Sequence, residues 1–227
     1  AYEPNCLCAW EGLGLGFLQT GAPKMALAAF DRFLEIAPNH ANMRWNRSFA
    51  RLALGMWRGG FEDYAWGHPA GVRRPRVWGR QWYGEEFEGD LFVAGEQGQG
   101  DHIMFARFLW PLRERLPKAR IVFETHSRMV SLFAGRCPAD YVVAVPVDGQ
   151  VNLEYDRWTS LLDLPHLLGL EDGAEVPLRG GYIEPPKEVR APDDLSSARV
   201  GLCWKGNPAY SGDARRSIPT EKLAPLK

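Results

Sequence analysis

The most constraining feature of the sequence is a paired helical pattern between residues 10 and 38. Apolar residues recur at helical spacing on both sides of Gly21-Ala22-Pro23, a sequence typical of a turn leading into a new helix. Gly14 lies on the first apolar face, where the lack of a side chain lets a partner helix approach. The pattern predicts two antiparallel helices that end at Pro38-Asn39. Their apolar faces comprise Trp10, Leu13, Phe17, Leu18, Ala26, Ala29, Phe30, Phe33 and Ile36.

This helical pair resembles the tetratricopeptide repeat, whose period is 34 residues. A shift by one period places Gly21 on Gly55 but Phe17 on Arg51, so the second repeat is degenerate, as terminal repeats often are. We expect tetratricopeptide-like helices over residues 1–68, with further repeats preceding Ala1. The resemblance implies that these helices bind a protein partner or the acceptor of a reaction.

After a Gly-, Pro- and Arg-rich segment at residues 67–80, the chain alternates short apolar runs with helical stripes. Such alternation predicts a parallel, doubly wound sheet. The fold class is therefore α/β with an all-α amino-terminal part. The predicted strands are Leu91–Ala94, Arg120–Glu124 and Tyr141–Pro146, and the predicted helices are Asp101–Arg115, Ser127–Ala134 and Trp158–Leu170.

The region after residue 184 indicates a second domain. Residues 185–198 are Pro-rich and charged and are predicted to be an interdomain linker. Arg199–Trp204 is predicted to start a strand, and Ser217–Thr220 a helix, but the sequence ends at Lys227. We therefore expect a piece of a longer protein, with a first α/β domain at 69–184 and the start of another at 199–227.

The Gly-rich turn between residues 95 and 101 is the best candidate site. After a parallel strand, Gly98 and Gly100 allow positive φ and let a ligand approach the backbone, and the next helix offers free N–H groups to an anion. The turn lacks the third glycine of the dinucleotide fingerprint, where Ile103 stands, and it has no Walker lysine. Both common nucleotide motifs are therefore excluded.

Two carboxylates, Glu96 and Asp101, flank this turn. A carboxylate at the carboxyl end of a sheet can take the proton from an attacking hydroxyl group. Asp is also a favoured residue for capping a helix start. Capping and catalysis therefore both remain open for Asp101. The adjacent His102 is a further candidate.

A second polar cluster follows the predicted strand at 199–204. Its cations and hydroxyl groups suit a diphosphate, although a solvated basic loop is an equal alternative. The cluster comprises Lys205, Asn207, Tyr210, Asp213, Arg215, Arg216 and Ser217.

Composition excludes several classes of protein. The 27 basic and 28 acidic residues give a net charge of −1, so there is no cationic excess for nucleic acid. The longest apolar runs are far short of the roughly 20 residues that span a bilayer. The four scattered cysteines have no zinc spacing, which favours reduced thiols, no bound metal and a cytoplasmic location.

Together the motifs resemble a known family. They are Trp82-x-Gly84-Glu85, Glu96-Gln97-Gly98-x-Gly100-Asp101, Val200-Gly201-Leu202-x-Trp204-x-Gly206-Asn207-Pro208 and Arg216-Ser217-Ile218-Pro219. In this order, after a tetratricopeptide repeat, they are similar to bacterial repeat proteins whose carboxyl half is a glycosyltransferase like the lipopolysaccharide heptosyltransferases. The resemblance covers essentially the whole chain.

The resemblance implies a two-domain GT-B fold with Rossmann-like halves, a nucleotide-sugar donor, a glycan, lipid-linked or protein acceptor, and no metal or other cofactor. Asp101 would deprotonate the acceptor hydroxyl. Glu96, Gln97, Gly98, Gly100 and His102 would form the acceptor-side loop. Lys205, Asn207, Arg216 and Ser217 would contact the donor diphosphate.

Two alternatives stay open. One is a non-catalytic tetratricopeptide scaffold whose sugar-nucleotide site has decayed. The other is similarity to the protein O-GlcNAc transferases, which share the plan of repeats plus GT-B. The loop at residues 96–101 favours the heptosyltransferase-like group.

Overall fold

The computed structural model describes residues 6–73, 75–145, 153–172, 181–183, 205–206, 213 and 217–226. The chain divides into two compact units, Ala1–Pro185 and Pro186–Lys227. In the described ranges, no helix combines the length and the apolar content needed to cross a bilayer.

The first unit begins with two helical hairpins. The helices are α1 (Leu7–Gln19), α2 (Pro23–Ile36), α3 (Ala41–Ala53) and α4 (Trp57–Ala65). The turn glycines Gly21 and Gly55 both have a φ of 74°, a left-handed conformation that favours glycine. The same turn therefore recurs one repeat length further along the chain. The predicted helical pair and its degenerate successor both form hairpins.

The close approach predicted at Gly14 is present. Gly14 is buried in α1, and a Cβ built there would lie 2.4 Å from Cε1 of Phe30, which is itself fully buried in α2. The Phe30 ring occupies the space that any side chain at position 14 would need. The α1–α2 contact therefore depends on glycine at this position.

We expect Gly14→Ala to destabilise the protein by about 1–3 kcal/mol, because overpacking against Phe30 outweighs the better helix propensity of alanine. Gly16→Ala in the same helix is the matched control, since a Cβ there meets no atom within 4 Å. That substitution should raise stability by up to about 1 kcal/mol. Urea unfolding of both variants measures the difference, and equal effects would contradict the packing argument.

The hairpins are followed by a five-stranded sheet. Its strands are β1 (Arg80–Gln81), β2 (Asp90–Ala94), β3 (Arg120–Thr125), β4 (Tyr141–Ala144) and β5 (Arg157–Ser160). All neighbouring strands are parallel, in the order β1-β5-β2-β3-β4. The predicted fold class, helical hairpins followed by a parallel α/β sheet, is confirmed.

One face of the sheet packs on four short helices, α5 (Gln99–Phe105), α6 (Leu109–Arg115), α7 (Val130–Phe133) and α8 (Leu164–Leu167). Leu91, Val93, Ile121 and Phe123 project from β2 and β3 into this core. Their neighbours on the same strands, including Phe92 and Val122, form a smaller cluster on the opposite face. This alternation follows from the two-residue period of a strand.

The predicted helix over residues 101–115 is interrupted. α5 begins at Gln99, a 3₁₀ turn occupies Ala106–Phe108, and α6 restarts at Leu109. Pro111 explains the break: it has no N–H to donate four residues back, so it is tolerated only in a first helical turn. The predicted helix over Ser127–Ala134 likewise starts as a 3₁₀ turn before α7.

The helix predicted for Trp158–Leu170 is wrong at its start. Trp158 belongs to β5, which pairs with β1 on one side and β2 on the other. A 3₁₀ turn over Leu161–Asp163 then leads into α8. β1 was not predicted. In the Gly-rich segment before it, residues 67–71 form turns, and the described residues from 72 to 79 are neither helix nor strand.

In the second unit, a 3₁₀ helix over Thr220–Leu226 begins where a helix start was predicted. The predicted strand over residues 199–204 and the linker at 185–198 lie outside the described residues. The Ser217 hydroxyl donates to Asp213 over 2.8 Å and accepts from the backbone N–H of Gly206 over the same distance.

Candidate functional site

The sheet has a topological switch between β2 and β5. The chain leaves β2 toward β3 on one side, and β5 returns on the other side of β2. In open parallel sheets, ligands bind outside the carboxyl ends of the strands at such a switch. The turn after β2 starts at Gly95, and a second turn after β5 carries Asp163. Both therefore lie at the place where a site is expected.

The Gly-rich turn differs in one respect from expectation. Gly98 has a φ of −88°, and Gly100 is not in the left-handed region either; the left-handed residue is Gln97, with a φ of 67°. The Gln97 carbonyl accepts a hydrogen bond of 3.2 Å from Nε2 of His126, which fixes this conformation. Gly98 and Gly100 are exposed, and a Cβ on Gly100 would meet no atom within 4 Å.

Asp101 caps α5, although from a different position than predicted. Gly98, not Asp101, is the N-cap residue, and Asp101 stands three residues later, where its side chain reaches back to the N-cap backbone. The backbone N–H of Gly98 donates to Oδ2 of Asp101 over 2.9 Å. One carboxylate oxygen is thus engaged with the backbone, while the residue keeps partial exposure beside the open turn. The geometry shows the cap and leaves room for a second role.

His102 lies under the turn and is only 1% exposed. Its Nδ1 is 2.9 Å from the Thr125 hydroxyl, and its ring centroid is 4.8 Å from that of His126. Burial, together with the charge of His126, lowers the pKa of His102 to about 4. His102 is therefore neutral at pH 7, and its buried ring packs against the turn at Gly95. A Cβ on Gly95 would lie 2.3 Å from its ring, so glycine is required there.

A buried ionic network joins the two turns at the switch. Arg73, 2% exposed, donates to both carboxylate oxygens of Glu96, to Oδ1 of Asp163 over 2.6 Å and to the Ser160 hydroxyl over 2.9 Å. Ser160 also donates to Glu96. The Arg73 guanidinium lies over the Tyr64 ring at 4.5 Å. We call Arg73, Glu96, Ser160 and Asp163 the Arg73 network.

Asp163 also binds His68. Its Oδ2 is 2.8 Å from Nε2 of His68, while Oδ1 faces Arg73. Burial alone would raise the pKa of Asp163, but the hydrogen bond from His68 and the charge of Arg73 outweigh it and hold the pKa below its ordinary value. Asp163 is therefore a carboxylate with both oxygens occupied. Sequence reasoning missed this residue, Arg73 and His68.

Glu124 is a buried acid on the same face of the sheet as Val122, opposite to the four helices. It is 3% exposed at the carboxyl end of β3, and its Oε2 accepts from the backbone N–H of Gly95 over 3.1 Å. Its Oε1 has no hydrogen-bond partner within the part of the chain that the structure describes. Burial raises the pKa of Glu124 from 4.5 to about 7, against the lowering effects of the Gly95 hydrogen bond and the Arg76 charge. The site thus holds a carboxyl group that titrates near neutrality.

We expect stability to fall between about pH 4.5 and pH 7 because of Glu124. The folded protein keeps this proton in a range where the unfolded chain releases it, so deprotonation favours unfolding, by on the order of 2–3 kcal/mol. Glu124→Gln removes this titration. The free energies of unfolding of the two proteins at pH 5 and pH 8 give the test, since other groups cancel in the difference. Parallel pH profiles would contradict the assignment.

The remaining predicted site residues fall into two groups. Glu96, Gln97, Gly98 and Gly100 lie together at the turn, but Glu96 is bound within the Arg73 network. In the second unit Lys205 is exposed, and Ser217 is partly buried against Asp213. Asn207 and Arg216 lie outside the described residues. Among the residues described, no three His, Cys, Asp or Glu side chains form a group able to hold a metal ion.

Comparison with known proteins gives one distant similarity that covers almost the whole chain. The chain is 26% identical to Protein FlbA of Caulobacter vibrioides over 285 aligned positions, which cover 99% of this chain. The chain spans about half the length of that relative, 48%. No family model matches the sequence, and no solved structure matches it. This chain, with its helical hairpins and parallel sheet, is therefore a distant homologue of that bacterial protein.

Proposed function

We propose that this chain is the acceptor-side part of a metal-independent glycosyltransferase of GT-B type, related to the heptosyltransferase-like group. The observation that carries the proposal is the partly exposed Asp101 carboxylate beside an open Gly-rich turn at the switch point of a parallel sheet. The distant similarity to a longer bacterial protein is compatible with it. Cys6, Cys8 and Cys137, the cysteines that the structure describes, form no disulfide bond. We place the reaction in the cytoplasm, where thiols stay reduced.

In the proposed reaction, Asp101 accepts the proton of an acceptor hydroxyl. The hydroxyl oxygen forms a bond to the anomeric carbon of the nucleotide sugar as the bond from that carbon to the diphosphate oxygen breaks. The electron pair leaves with the nucleoside diphosphate. We propose that the negative charge on this diphosphate is stabilised by Lys205, Asn207, Arg216 and Ser217. Cations and hydrogen-bond donors aimed at a leaving group stabilise the transition state in which its charge develops. The helical hairpins bind the acceptor or a protein partner.

The first experiment uses the full natural protein with UDP-, GDP- and ADP-linked sugars. Equilibrium binding identifies the sugar donor, and release of free nucleoside diphosphate in the presence of simple glycoside acceptors measures transfer. We expect one nucleotide class to bind and to be consumed only when an acceptor is added. If no nucleotide sugar binds, the proposal is wrong.

The second candidate is a non-catalytic scaffold, and one observation favours it. Both carboxylates of the turn already have partners, Glu96 in the Arg73 network and Asp101 at the backbone N–H of Gly98. A scaffold predicts a protein partner at the helical hairpins and no nucleotide-sugar binding. The same binding experiment therefore separates the two functions.

A further inference from the structure

A cavity lies where the end of α4 meets the carboxyl ends of β1 and β5. Its volume is about 260 Å³, a little below the roughly 300–1,000 Å³ of ordinary small-molecule pockets. It therefore has the size for one sugar ring. The lining includes Trp66, His68, Gln81, Tyr83, Asp163 and His166, and we call it the His68 cavity.

The His68–Asp163 pair gives this cavity an imidazole ring held in a fixed orientation. Asp163 is a carboxylate, so His68 donates its Nε2 proton to it across the 2.8 Å contact. Nδ1, the other ring nitrogen, accepts a hydrogen bond in the neutral imidazole and donates one in the imidazolium. Among the described residues, none makes a hydrogen bond to Nδ1. A ligand hydroxyl both donates and accepts, so it can form a hydrogen bond with Nδ1 in either form of the ring.

The other lining groups suit a neutral ring that carries hydroxyls. Tyr83 forms an aromatic wall of the cavity and is 69% exposed. The Arg44 guanidinium carbon lies 4.6 Å from the centroid of the Trp66 ring. Aromatic faces pack on the apolar C–H faces of a sugar, while the Gln81 amide can bind its hydroxyls. No Lys or Arg of the described ranges lines the cavity, and the charge of Asp163 is already neutralised by its ion pair with Arg73. Phosphate and carboxylate ligands are therefore disfavoured.

We propose that the His68 cavity binds a sugar ring of the acceptor, with a hydroxyl hydrogen-bonded to Nδ1 of His68. This inference rests on the proposed glycosyltransferase function for its substrate class. The Arg73 network supports it by geometry, since Arg73 binds Asp163 in the cavity wall and Glu96 in the turn that leads to Asp101. The cavity and the proposed base thus belong to one carboxyl edge of the sheet.

The test titrates the full natural protein, labelled with 5-fluorotryptophan, with the methyl glycosides of glucose, galactose, mannose and N-acetylglucosamine. The ¹⁹F resonance of Trp66, assigned through Trp66→Phe, reports occupancy. We expect at least one glycoside to shift it saturably in the millimolar range. Tyr83→Ala should weaken that binding about fivefold, because it removes one stacking wall.

Tyr141→Ala is the matched control: Tyr141 is also a well-exposed tyrosine, 57%, but it lies on β4 and does not line the cavity. It should bind like the natural protein. Absence of any saturable Trp66 shift, or equal affinity in Tyr83→Ala, overturns the inference. Glycoside binding without consumption of any nucleotide sugar supports the cavity and refutes the glycosyltransferase. Transfer without binding at Trp66 refutes the cavity alone.

Discussion

Replacing Arg73 by methionine should lower the free energy of unfolding by about 3–5 kcal/mol, the usual cost of removing one partner from a buried ion pair. Arg73 has a fully buried side chain, and those of Glu96 and Asp163 are only 9% and 3% exposed. Without the guanidinium, Asp163 keeps its hydrogen bond with His68 and Glu96 the one from Ser160, but both buried carboxylates lose the cation between them. Urea unfolding monitored by tryptophan fluorescence measures the loss.

Arg58→Met is the matched control for this prediction. Arg58 also pairs with a distant acid, Glu171, but the two side chains are 70% and 59% exposed. An exposed pair contributes about 0–1 kcal/mol, so this variant should be nearly as stable as the natural protein. Adding Glu96→Gln and Asp163→Asn to Arg73→Met should recover stability, because the unpaired charges are then gone. Equal losses for Arg73→Met and Arg58→Met would refute the network's role.

The second large effect concerns activity: Asp101→Asn should reduce glycosyl transfer by about 10²–10⁴-fold, the contribution of a general base. The amide oxygen of asparagine can still accept the hydrogen bond from Gly98, so the capping contact and the helix start are preserved. Affinity for the nucleotide sugar should be unchanged. Nucleoside diphosphate release and equilibrium binding on the same preparations give both quantities.

Asp156→Asn provides the comparison for Asp101→Asn. Asp156 likewise accepts a backbone N–H, from Asp90 over 2.8 Å, but it lies at the amino edge of the sheet, away from the site. It should leave transfer unaffected. If Asp101→Asn keeps full activity, Asp101 serves only as a cap and the base lies elsewhere. Asp101→Ala, which also loses the capping oxygen, should in addition lose about 1 kcal/mol of stability.

The local parts of the fold could be predicted from the sequence. The helical hairpins and β2 follow from apolar spacing within a few residues, and the Gly-rich turn follows from its place between a strand and a helix. β5 could not be predicted in this way, because Trp158 is its only large apolar residue and Leu161–Leu164 continue the pattern as a helix. Its burial comes from β1 and β2 on either side, which are distant in sequence.

Only the part of the candidate site at the Gly-rich turn could be predicted from the sequence. Glu96 and Asp101 could be found because they flank a recognisable turn. Arg73 lies in a segment whose composition indicates a loop, and nothing near it in sequence shows that its charge is buried. Its partners Ser160 and Asp163 are known only once β5 is placed beside β2. Pairings of this kind depend on topology and leave no periodic pattern in the sequence.

The span of the Arg73 network has a consequence for the order of folding. Arg73 meets Ser160 across 87 residues and Asp163 across 90, whereas the helical hairpins form from neighbouring segments. Closing long loops is slow because chain entropy is lost before the new contacts contribute any favourable free energy. We therefore expect the hairpins to form early and the carboxyl edge of the sheet to become ordered last, when β5 docks. The site formed by the residues proposed to bind substrate would then become complete only in the final step of folding.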